Sequence, residues 1–82
     1  MGRVSVRFFA RYAELAGCTW SHVNLDTPAT VGDVIARIRE VFPGTQAMPA
    51  RPLAALNLRQ VTLDAPVTEG DEVALLPPLS GG

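Results

Sequence analysis

Lysine is missing from this chain: all seven of its basic residues are arginine. Set against eight acidic residues, they leave a formal net charge of -1. That balance provides no basic stripe and argues against a sequence-independent nucleic-acid binder, which neutralises phosphates with clustered cations. Cysteine is nearly absent too. Cys18 stands alone, which excludes an internal disulfide framework and a cysteine-built metal cluster. The longest apolar run falls far short of the ~20 residues needed to cross a bilayer. Met1-Gly2-Arg3 opens onto an alternating segment rather than a continuous apolar leader. The expectation is a cytoplasmic protein with neither membrane nor nucleic acid as partner. A hydrophobic fraction of 48% with only 18% charge excludes a disordered polar segment. The 82 residues suffice for one domain. A chain of this size buries roughly 60–65% of its unfolded surface, which leaves little volume for an enclosed active site.

The residues that are present read as alternating strands around one helix. From Arg3 to Phe9 the period is two: Val4, Val6 and Phe8 face one way, Arg3, Ser5, Arg7 and Phe9 the other. Ala10 to Ala16 is alanine- and leucine-rich with Gly17 behind it, a short helix with its C′ glycine. Trp20 to Leu25 is a second strand, near enough to pair antiparallel with the first. Thr30 then stands as N-cap with Asp33 at N3, a capping-box pattern. Val31, Val34, Ile35, Ile38 and Phe42 form one apolar stripe on a helix of about three turns, which Pro43-Gly44 ends. Thr45 to Pro52 reads as an irregular loop, Leu53 to Leu58 as a third strand and Gln60 to Leu63 as a fourth. After turns at residues 64–66 and 68–71, Glu72 to Leu76 forms the fifth. Its Val73 and Leu75 share one face, its Ala74 and Leu76 the other. The expected fold is α+β: a mixed sheet of four to five strands, the first and fifth central, with one main helix across a single face. Residues 1–78 form the domain and residues 79–82 a flexible reactive tail.

The tail has no place in that core. Pro77-Pro78 stops the fifth strand and projects the last four residues away from the sheet. Extended, Leu79-Ser80-Gly81-Gly82 reach roughly 13 Å, enough to enter another protein's cleft. A glycine pair lets a narrow channel close on bare backbone. The one reactive group at the tip is the Gly82 α-carboxylate. A carboxylate becomes an electrophile once joined to AMP as a mixed anhydride. A sulfur nucleophile can then displace AMP and leave a thiocarboxylate.

With these features the chain resembles the small, sulfur-carrying subunit of molybdopterin synthase, a ubiquitin-like β-grasp family. The resemblance covers nearly the whole length. It rests on Val6-Arg7-Phe8-Phe9-Ala10, Glu14-Leu15-Ala16-Gly17 and Ala54-Ala55-Leu56-Asn57. Most specific is Glu69-Gly70-Asp71-Glu72-Val73-Ala74 running into Pro77-Pro78-Leu79-Ser80-Gly81-Gly82. It implies adenylation of Gly82 by an E1-like adenylyltransferase that uses ATP, with no cofactor bound permanently. Sulfur would come from a donor such as a cysteine desulfurase or rhodanese system. The thiocarboxylate would then serve a large subunit, in a heterotetramer, that builds the dithiolene from cyclic pyranopterin monophosphate. The catalytic side chains would belong to that partner. Gly81 and Gly82 match the family's functional residues. Leu76 stands where the family often carries an aromatic, and Gln60 near a commonly apolar position. A sulfur carrier for thiamine or tRNA thiolation, and a ubiquitin-like protein modifier, use the same tail chemistry.

Phe9 and Leu76, with Pro77, Pro78, Leu79 and Ser80, are the expected partner-binding residues, an apolar patch on the uncovered face. The alternative for Phe9 is packing under the segment 10–16. From Gln60 onward there is no basic residue, whereas Asp64, Glu69, Asp71 and Glu72 are acidic. As an ensemble they suit steering toward a basic pocket; individually they suit solvated turn chemistry. His22 lacks companions for a metal site, and Cys18 suits a half-buried thiol. For the missing lysine there are two readings. One is coding bias; the other is a surface with no ε-amine to attack an activated Gly82.

Overall fold

The computed structural model describes residues 1–78. Strand β1 (Gly2–Phe8) buries Val4, Val6 and Phe8 and exposes the intervening arginines, as its alternation dictates. The chain turns at Ala10 (φ 50°) into the short helix α1 (Arg11–Ala16), which ends at Gly17 in the left-handed region (φ 84°). Strand β2 (Trp20–Leu25) returns antiparallel to β1, with Val4 opposite Val23. A two-residue strand, β3 (Ala29–Thr30), leads into helix α2 (Val31–Val41). Then come a 3₁₀ turn (Pro43–Ala47), β4 (Leu53–Leu56), β5 (Arg59–Val61), β6 (Pro66–Val67) and β7 (Glu72–Leu76).

The main sheet has the order β2-β1-β7-β4-β5, and β3 pairs with β6 separately. Only the β1–β7 pair is parallel, so the sheet is mixed. The two strands furthest apart in sequence are thus neighbours, and neither is an edge strand, in keeping with the expectation that both are central. Val6 lies opposite Val73 and Phe8 opposite Leu75. The sheet's inner face meets the stripe Val31, Val34, Ile35 and Ile38 of α2, all buried. Phe42, just past the helix, packs its ring edge-on to Phe8 with centroids 5.4 Å apart.

The N-terminus of α2 leaves no first-turn donor open. Thr30 Oγ1 accepts from Asp33 N–H and Asp33 Oδ2 accepts from Thr30 N–H, at 3.1 and 3.0 Å. Val31 N–H donates to Ala65 O and Gly32 N–H to Leu63 O. At the other end, the guanidinium of Arg39 holds the 3₁₀ turn by donating to Thr45 O and Met48 O. Gly44 passes so close to α1 that a Cβ there would lie 2.0 Å from Leu15 O.

Three expectations need correction. Strand β4 ends at Leu56, because Asn57 (φ 50°) and Leu58 (φ 74°) form the hairpin turn, and β5 is displaced to Arg59–Val61 accordingly. Residues 45–52 are not wholly irregular: the 3₁₀ turn begins this stretch and buries Thr45. The small β3–β6 pair is unmarked in sequence, since neither two-residue strand is long enough to display a period.

Candidate docking face and tail exit

The face of the sheet opposite α2 is assembled from residues in register across all five strands. One row runs Trp20, Arg7, Ala74, Ala55, Gln60. The next places Leu76 opposite Leu53. Two alanines at the centre keep the surface low, while Trp20 is 54% exposed, Phe9 43% and Leu53 40%. Phe9 lies just beyond β1 rather than inside it, because the positive φ at Ala10 ends the strand. Its N–H still donates to Leu75 O at 3.3 Å, which keeps it beside the last residues of β7. Its exposure favours the patch over burial under α1. Leu76 and Pro77 are half-buried and Pro78 is exposed. The expected site residues Leu79, Ser80, Gly81 and Gly82 lie outside the described residues.

The charged groups near β7 are engaged with their neighbours. Arg7 Nε pairs with Glu72 Oε2 at 3.1 Å, a surface ion pair worth less than about 1 kcal/mol. Asp71 accepts from Thr68 N–H at 2.9 Å and from Asn57 Nδ2 at 3.0 Å. The bond from the Thr68 backbone, then that from Asn57, holds its carboxyl below the usual range. Asn57 also accepts from Glu72 N–H at 2.9 Å, which ties the β4–β5 turn to the start of β7. Asp64 accepts from Thr62 Oγ1, and this bond lowers its pKa. Turn chemistry therefore accounts for Asp64 and Asp71 individually. His22 Nε2 sits 3.2 Å from Arg3 Nη2. Among the described residues, no cluster of three or more histidine, cysteine or acidic side chains could hold a metal. No helix there is long and apolar enough to cross a membrane.

Alternation placed Ala74 on this face beside Leu76; sequence reasoning missed Leu53 and Ala55. Their alternation was legible, but the register that joins β4 to β7 is a long-range fact with no local signal.

The ThiS family model matches residues 6–82. The molybdopterin synthase sulfur carrier subunit of Chlamydomonas reinhardtii is 33% identical over 82 residues, covering 98% of this chain and 99% of that relative. Among solved structures, small archaeal modifier protein SAMP1 of Haloferax volcanii matches with a TM-score of 0.87 and 30% identity, covering 99% of this chain and 100% of that one. A complex of subunits 1 and 2 of molybdopterin-converting factor from Helicobacter pylori contains a chain that matches with a TM-score of 0.66 and 26% identity, covering 98% of this chain and 99% of that one.

Proposed function

The chain belongs to the ThiS family, with a ubiquitin-like β-grasp fold, and from that premise we propose that it carries sulfur as the small subunit of a molybdopterin synthase. The observation that carries this reading is the full-length likeness to a molybdopterin synthase sulfur carrier subunit. The geometry of β7 supports it. This strand is clamped between β1 and β4, so Pro77 and Pro78 leave from a fixed point beside an exposed apolar face. A partner that grips Phe9, Leu53 and Leu76 would find residues 79–82 aimed from a known place.

In this reading a Gly82 carboxylate oxygen attacks the α-phosphorus of ATP in the activating enzyme, and pyrophosphate leaves. A hydrosulfide equivalent from the sulfur donor then attacks the acyl carbon. The acyl–O bond to AMP breaks, AMP departs, and the thiocarboxylate remains. In the large subunit that sulfur passes to the pyranopterin substrate and water restores the carboxylate; two thiocarboxylated chains, used in turn, supply the two sulfurs of each dithiolene. The domain's contribution is presentation: it supplies a rigid face and a thin strap of chain, while the partners supply the acid–base groups.

The test is reconstitution with a molybdopterin synthase large subunit. The thiocarboxylated chain should form a stable complex with it and convert the pyranopterin substrate to the dithiolene, and a chain lacking Gly82 should not. Binding without sulfur transfer would defeat the proposal. The likeness to the archaeal modifier protein favours a second reading, conjugation of Gly82 to lysines of other proteins. Glycine-glycine remnants on lysines of cellular proteins, dependent on Gly82, would establish it.

A further inference from the structure

We propose that the free edge of β2 takes up an extended, acidic peptide segment of another protein as a further strand of the main sheet. The backbone hydrogen bonds fix what this edge offers. Phe8 N–H donates to Thr19 O at 3.0 Å. In the antiparallel register of β1 and β2, residues 19, 21, 23 and 25 therefore turn their backbone groups toward β1. The alternate residues of β1 agree, since Ser5 and Phe9 donate the other way, to Asp71 O and Leu75 O. Trp20, His22 and Asn24 thus point their N–H and C=O groups out of the sheet, and β2 is its outermost strand. Among the described residues, their three N–H groups and the carbonyls of Trp20 and His22 have no partner. Asn24 O accepts from Arg37 Nε at 3.1 Å.

Such an edge is ready to pair with another strand unless something blunts it. β2 has six residues with no proline and no charge among them. The opposite edge is closed by comparison: β5 has three residues, and just past it Thr62 O is taken by Ala65 N–H.

The surroundings specify the occupant. Arg37 Nε stands where the N–H of an added strand would meet Asn24 O. Its ion pair with Glu40, at 3.4 Å, is an exposed one worth less than about 1 kcal/mol. The guanidinium can therefore move to a peptide carboxylate while a peptide N–H takes over Asn24 O. Arg3 lies opposite Asn24 in the register, on the outer face. It touches His22 Nε2 at 3.2 Å and has no acidic partner among the described residues. Two guanidiniums thus converge on one end of the edge, one from each face of the sheet, and a carboxylate there complements both. Trp20, more than half exposed, gives apolar surface at the other end. A second copy of this chain is a poorer occupant, because its β2 brings no carboxylate to these arginines. β1 separates the edge from β7, so an added strand leaves Leu76 and Leu53 uncovered. The domain can then hold one protein at its edge while its face engages another.

The probe is the blocked peptide acetyl-Glu-Val-Glu-Val-Glu-amide, added to the full chain, with acetyl-Lys-Val-Lys-Val-Lys-amide as the control. Amide hydrogen exchange, followed by NMR, reads the register directly. The acidic peptide should slow exchange at Trp20, His22 and Asn24 by about fivefold or more. Ser21 and Val23, already bonded to β1, should not change. Arg37→Glu, at the helix surface, should weaken binding roughly tenfold, and Arg3→Gln roughly two- to fivefold. Absent protection, protection shared equally by Ser21 and Val23, or equal binding of the basic peptide overturns the proposal. So does binding that neither substitution weakens. Protection of Trp20, His22 and Asn24 that rises with protein concentration without peptide would overturn it too, by giving the edge to a second copy.

Discussion

Replacing Gly44 by alanine should be among the most damaging small changes to this domain, although Gly44 is exposed and remote in sequence from the tail. A Cβ at this position would sit 2.0 Å from Leu15 O and 3.1 Å from Leu15 C. Both are backbone atoms, so no rotamer change relieves the clash. Helix α1 would have to move from the 3₁₀ turn, and Ala13, Leu15 and Ala16 pack against the core. Overpacking of this kind costs about 2–3 kcal/mol. A domain of this size holds roughly 4–12 kcal/mol in all. At about 4–8 °C per kcal/mol, the melting temperature should fall by roughly 10–20 °C. Gly17→Ala is the control. Gly17 has φ 84° with nothing within 4 Å of its would-be Cβ, so its cost is backbone strain alone, about 1 kcal/mol. Calorimetry on the two variants separates the causes. A Gly44→Ala loss equal to or below that of Gly17→Ala would refute the close-approach argument. On the proposed sulfur-carrier reading, Gly44→Ala should still be loaded with sulfur at Gly82 below its melting temperature, since residue 44 is remote in sequence from the C-terminal glycine.

Three further outcomes rest on named contacts. Thr30→Ala should cost about 1 kcal/mol in denaturant unfolding, and Asp33→Ala should add less to Thr30→Ala than it costs alone, because the two bonds form one box. Asp71 has a folded pKa below its unfolded value, so its stabilisation is complete above the ordinary carboxylate range and lost as pH falls through the folded pKa. Asp71→Asn should therefore flatten the acid limb of a stability–pH curve; an unchanged limb would contradict the bonds from Thr68 and Asn57. Phe9→Ser and Leu53→Ser should weaken large-subunit binding about 5- to 100-fold while the melting temperature moves little, measured by calorimetric titration.

The parts of this fold that a local pattern encodes were legible. β1, β2, α2 and β7 each show a full period of alternation or a helical stripe, and Thr30 and Asp33 stand at capping-box spacing. That the first and last strands are central followed from a single covered face, whereas their parallel pairing is a long-range fact without a local signal. The two-residue strands β3 and β6 were not legible, because they are fixed by tertiary pairing rather than by pattern. The ends of β4 and β5 were misplaced because Asn57 and Leu58 adopt positive φ, and nothing about Leu58 announces that. On the sheet face opposite α2, alternation placed Phe9, Ala74 and Leu76, whereas Leu53 and Ala55 needed the register.

In the sulfur-carrier reading proposed above, the chemistry of this small domain resides in one carboxylate, that of Gly82. Intact mass spectrometry after incubation with ATP, an activating enzyme and a sulfur donor tests it most directly. The chain should gain the mass of sulfur replacing oxygen. Because methionine oxidation adds nearly the same mass, the gain must map to the C-terminal peptide and be trapped by a thiol-alkylating reagent. It should vanish when Gly82 is deleted. A gain that stays on Met1 or Met48, or none at Gly82 under conditions that load a known carrier, would contradict the account.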